Sequence, residues 1–135
     1  MIQFTLLSAM LLPALDSLVA GLVVGPGLAS RAHGRFALWV GTCDGLASMT
    51  GWLLPPHGGL SLPDWLGYLL AAPLACLALS GRRWATLVLP VLLASDNLLQ
   101  PAAPCVALAG AALSAAFAWL GTNAAAACGG RLQEV

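Results

Sequence analysis

Five long apolar runs, separated by breaks of Pro, Gly and Arg, set the terms on which this chain can fold. The chain has 135 residues, of which 60% are hydrophobic and 7% charged, against ~25% charged in an ordinary soluble domain. Ten charged side chains cannot coat a water-soluble domain of this length. A soluble enzyme, a nucleic-acid binder with a basic patch and a disordered tail are therefore excluded as readings. The expected fold class is all-α, a polytopic membrane protein of about five transmembrane helices.

The breaks place the spans at about 4–28, 36–54, 65–80, 84–99 and 103–127, as one transmembrane domain over residues 1–128 with a short polar tail at 129–135. Gly25-Pro26-Gly27 ends the first run, Pro55-Pro56 the second and Gln100-Pro101 the fourth, and Pro104 opens the fifth. The first run reads as a span and not as a cleaved signal peptide, since it has no basic leader and carries Asp16. Runs three and four are short for a helix that normally needs ~20 residues to cross.

Charge placement sets the orientation. All five basic residues are Arg, and Arg31, Arg35, Arg82, Arg83 and Arg131 all fall on one side if the N-terminus is outside. The positive-inside rule then predicts an N-out, C-in protein of a bacterial inner membrane. Cys43, Cys76, Cys105 and Cys128 form no CxxC pair and read as small packing residues. His33 and His57 fall in connections on opposite sides, and no GxSxG elbow is present, so the chain does not read as an enzyme.

Three of the four Asp lie inside the apolar runs. At ~1.5 Å per residue, Asp16 and Asp96 fall about 18 Å and Asp44 about 12 Å from the cytoplasmic end of their spans. A hydrocarbon core ~30 Å thick has its midplane near 15 Å. Asp16, Asp44 and Asp96 thus share one depth, and no basic residue of the sequence shares it. Carboxylates there need a proton or a cation between them. Oxygen donors suit a hard divalent ion, so Asp16, Asp44, Asp96 and Asn97 are the candidate metal ligands. Ser17, Thr42, Ser48 and Ser95 are supporting oxygens, and Met49 is a soft donor that favours Mn²⁺ over Mg²⁺. For Met49 and the hydroxyls, helix packing is the competing role. Pro13 and Pro90 kink their helices, and Gly41 and Gly45, like Gly21 and Gly25, form small-xxx-small steps that let helices approach closely. These steps are expected to bring Asp16 near Asp44.

At these residues the sequence resembles the manganese efflux pump (MntP) family, within the LysE-type exporter superfamily. Leu12-Pro13-Ala14-Leu15-Asp16-Ser17 is similar to its first-helix pattern. Ala37 to Leu46, followed by Gly51-Trp52, is similar to its second motif, with Asp44 at the acidic position. Leu93-Ala94-Ser95-Asp96-Asn97-Leu98 resembles the Asp motif that opens its second half, and the Asp-Asn pair is also similar to the TerC relatives. The resemblance implies two inverted three-helix halves, here truncated because no sixth helix follows the fifth. It implies export of Mn²⁺ or another divalent cation as substrate, with proton exchange at the carboxylates and no permanently bound cofactor. The lipid bilayer is the expected partner, and a homodimer is one way to cover the missing face. The alternatives are a degenerate or non-transporting membrane subunit of the same superfamily and an exporter of another small solute.

Overall fold

The computed structural model describes residues 14–53, 83–95, 97 and 103–132. Among them the fold is all-helical, with four helices and no strand. Helix α1 is Ala14–Gly27, α2 is Ser30–Leu53, α3 is Arg83–Leu93 and α4 is Pro104–Leu132. One stretch of α4, Pro104–Gly129, is long and apolar enough to cross a membrane. Residues 4–13 of the expected first span, the whole expected third span at 65–80, Pro13 and Asp96 lie outside the described residues.

Local chemistry explains most boundaries. Pro26 tightens the end of α1 into a 3₁₀ turn, Gly25–Gly27, closed by the Leu28 N–H on the Gly25 carbonyl at 3.1 Å. Leu28 then turns extended and α2 follows almost at once. Pro104 starts α4, where its missing N–H costs no helical bond.

Two boundaries differ from expectation. Helix α2 begins at Ser30, not near Phe36, so Arg31, His33 and Arg35 are helical and not in a connection. Arg and Ala are good helix formers, and the single Gly34 is no break. Hydropathy ends where charge begins, but the backbone continues. Likewise α4 runs through Gly129 and Gly130 to Leu132, into the expected polar tail. The alanine run before those glycines carries the helix onward. At 83–97 the helix ends at Leu93, a turn follows at Ala94, and Asn97 is again helical.

Helix α4 is the strut on which the others pack. A Cβ at Gly21 would overlap the Ala118 carbonyl and stand about 3.0 Å from the Thr122 nitrogen. A Cβ at Gly121 would in turn overlap the Leu18 carbonyl. The two backbones therefore cross glycine on glycine. Gly25 meets Thr122 and Ala125, while Gly41 and Gly45 meet Ala111 and Ala115. Small residues on both sides allow this approach.

The order of these contacts gives the directions. Residue numbers rise together along α1 and α4, so these helices run parallel. They run oppositely along α2 and α4. The expected use of the glycine steps, drawing α1 and α2 together, is corrected here: both steps face α4. The remaining core is Ala20, Val24, Phe36, Ala37, Val40, Leu89 and Ala118.

Helix α3 is held by one further bond. The Trp39 indole N–H of α2 donates to the Leu87 carbonyl at 2.9 Å. Pro90, inside α3, supplies no N–H to the helix one turn back, near that same carbonyl.

The seam makes two substitutions diverge. Gly21→Val should destabilise the fold by at least about 1–3 kcal/mol, because the added groups meet backbone that cannot yield. Gly34→Ala, with nothing within 4 Å of the added methyl, should be neutral or stabilise by about 0.5–1 kcal/mol. Thermal melting of the two variants checks the pair.

Candidate functional site

Helix α2 carries one polar, small-residue face at helical spacing. His33, Ala37, Val40, Asp44, Ser48 and Gly51 are all buried along it. Asp44 is only 6% exposed. From α1, the buried Ser17 hydroxyl donates to Asp44 Oδ2 at 3.5 Å. Ser48 lies one helical turn beyond Asp44 and is also buried. A carboxylate and the Ser17 hydroxyl thus meet between α1 and α2, with Ser48 buried a turn further along, and oxygen donors of this kind suit a proton or a small cation.

The other sequence-derived candidates are distributed differently. Asp16 is half-buried on α1, next in sequence to Ser17, and Met49 is half-buried beside Ser48. Thr42 is exposed, and its hydroxyl donates to the Leu38 carbonyl of its own helix at 2.7 Å. Ser95 is exposed too and donates to the Leu92 carbonyl at 2.6 Å. Such back-bonding is the usual fate of a hydroxyl with nothing else in reach. Asn97 is half-buried. Asp96 lies outside the described residues, so the three-carboxylate group is described at two of its members. Among the described residues no three His, Cys, Asp or Glu side chains stand close enough together to hold a metal ion. Gly41 and Gly45 flank Asp44 and press against α4, and Pro90 is buried in α3.

Three interior polar residues escape a reading based on hydropathy. His33 is only 3% exposed, and its Nε2 lies 3.3 Å from the Leu28 carbonyl at the α1–α2 corner. Its spacing from Ala37, Val40 and Asp44 places it on the same face, which is the signal that identifies it. Ser114 and Thr122 of α4 are likewise buried, in step with Ala107, Ala118, Gly121 and Ala125. Thr122 turns its hydroxyl to the Trp119 carbonyl at 2.9 Å.

No protein-family model matches the chain, and no curated protein or solved structure matches it.

Removing the Ser17 hydroxyl takes a donor from a buried acceptor. Ser17→Ala should therefore cost about 0.5–1.5 kcal/mol, the net worth of one hydrogen bond, and Ser17→Thr, which keeps the hydroxyl, should cost less. Chemical denaturation of both variants in detergent checks this.

Proposed function

We propose that this chain is a small multi-pass protein of a bacterial inner membrane that exports a divalent cation, Mn²⁺ foremost, with Asp16, Asp44 and Asp96 as the carboxylates that carry it. The observation that carries the reading is the burial of Asp44 with Ser17 and Ser48 while large apolar side chains point outward. Leu38 is 68%, Leu53 71% and Leu108 64% exposed. That is the reverse of a water-soluble domain, where such a surface is an aggregation hazard. Lipid is the solvent that suits it.

Further features support the same reading. Thr42, Thr50 and Ser95 are exposed, yet each spends its hydroxyl on a main-chain carbonyl three or four residues back, as polar groups facing hydrocarbon must. The parallel course of α1 and α4 fits an odd number of crossings from the first to the last, as in a five-span arrangement. The sequence resemblance to manganese efflux pumps points to the same class of substrate.

The chemistry then follows from burial. In this reading Asp44, buried where a bare charge is costly, exchanges a proton for the cation. The Ser17 hydroxyl orients one carboxylate oxygen and can turn to lend its own oxygen to the ion. Exchange of the cation for protons from outside returns the site to its starting state. Asp16 and Asp96 are the acids proposed to share this load, and the two-state exchange requires no bound cofactor.

Cells lacking their own manganese pump, loaded with Mn²⁺ and expressing the chain, should hold severalfold less of the metal. Asp44→Asn should abolish that difference with the protein still inserted. Export by the Asn variant at the wild-type rate would refute the carboxylate mechanism. The proposed orientation is checked separately. Cys105 and Cys128 are exposed near opposite ends of α4. A membrane-impermeant maleimide should label Cys105 in intact spheroplasts and Cys128 only after lysis.

A further inference from the structure

We infer that Arg31 and Arg35 form the headgroup site for an anionic phospholipid of the cytoplasmic leaflet, with the acyl chains lying along the outward stripe of α2. The inference rests on the membrane reading proposed above. Both guanidinium groups are exposed and four residues apart on a helix, so they stand on one side. No acidic residue occupies the first turn of α2, and among the described residues neither Arg is ion-paired. Two like charges then adjoin the positive end of the helix dipole, which is unfavourable unless an anion joins them. Gly34, between them, is exposed, with open space where a side chain would be.

The same stripe continues as hydrocarbon surface. Leu38, Thr42 and Leu46 follow Arg31 and Arg35 at helical spacing and are all exposed, with Trp39, tied to α3, at the margin. The hydroxyl among them is already turned to the Leu38 carbonyl. From Arg35 to Leu46 the stripe rises about 16 Å, close to one leaflet, half of a core ~30 Å thick. A phosphodiester with fatty chains fits both ends of this pattern. A free phosphate fits only the first, where the guanidinium forks can take its oxygens in pairs. None of these stripe residues belongs to the buried face that α2 turns inward.

The test is native mass spectrometry of the full chain in mild detergent, titrated with phosphatidylglycerol, phosphatidylcholine or glycerol phosphate. Wild type should prefer phosphatidylglycerol. Each Arg near an anionic headgroup contributes about fivefold, so Arg31→Gln with Arg35→Gln should weaken that lipid about twenty-five-fold and leave phosphatidylcholine unchanged. Arg31→Lys with Arg35→Lys should lose less, since charge is kept and only the fork is lost. Both positions are exposed, so melting temperature should not move. Equal binding of phosphatidylglycerol by wild type and the Gln variant overturns the proposal. So does glycerol phosphate binding as tightly as the lipid, which would make this a site for free phosphates. A chain found in the soluble fraction refutes the membrane reading itself, whereas an inserted chain indifferent to headgroup refutes only the lipid site.

Discussion

Backbone-to-backbone contact between α1 and α4, glycine on glycine, is the constraint on which the rest of this structure depends. Gly21 and Gly121 leave no room for a methyl group between the helices. A seam this close forces small residues onto the faces that meet, while Leu38, Leu53 and Leu108 stand exposed elsewhere. Dispersion between the closely fitted surfaces then contributes to holding the bundle. The same closeness leaves little interior volume, so a polar group placed inside is met by protein and not by bulk solvent.

Asp44 is where that closeness becomes chemistry. Its neighbours Gly41 and Gly45 press α2 onto α4, which fixes the helix face that carries the carboxylate. Ser17 reaches it from α1, itself fixed on α4 by Gly21 and Gly25. The contact between α1 and α2 is thus indirect in origin: each is positioned by a third helix. Trp39 adds a tie to α3, by a bond to main chain and not to a side chain.

Much of this is legible in the sequence where a residue's own stereochemistry decides the outcome. Gly25-Pro26-Gly27 ends a helix and Pro104 begins one because proline fixes its dihedral and lacks a donor. The buried status of Asp44 follows from its place in an apolar run, and the small-residue steps announce a tight seam. What the sequence hides is the partner. Nothing in Gly21-x-x-x-Gly25 says that its mate lies on the last helix and not on the next. Hydropathy also misplaces helix ends, as at Arg31 and Arg131, because it measures the preference of side chains and not the continuity of the backbone. Thr42 and Ser95 resemble Ser17 as sequence, yet they sit on outward faces. Only the rotation of each helix about its axis separates them.

The seam also sets the order in which the protein can be completed. Gly21 and Gly121 are one hundred positions apart in the sequence. At about 5–20 residues per second, a ribosome needs roughly 5–20 s to travel between them. Throughout that interval α1 and α2 stand with bare glycine faces, and their proper mates do not yet exist. Assembly must therefore wait for the last helix to arrive. Until then the glycine faces of α1 and α2 lack the surface that closes them in the finished fold.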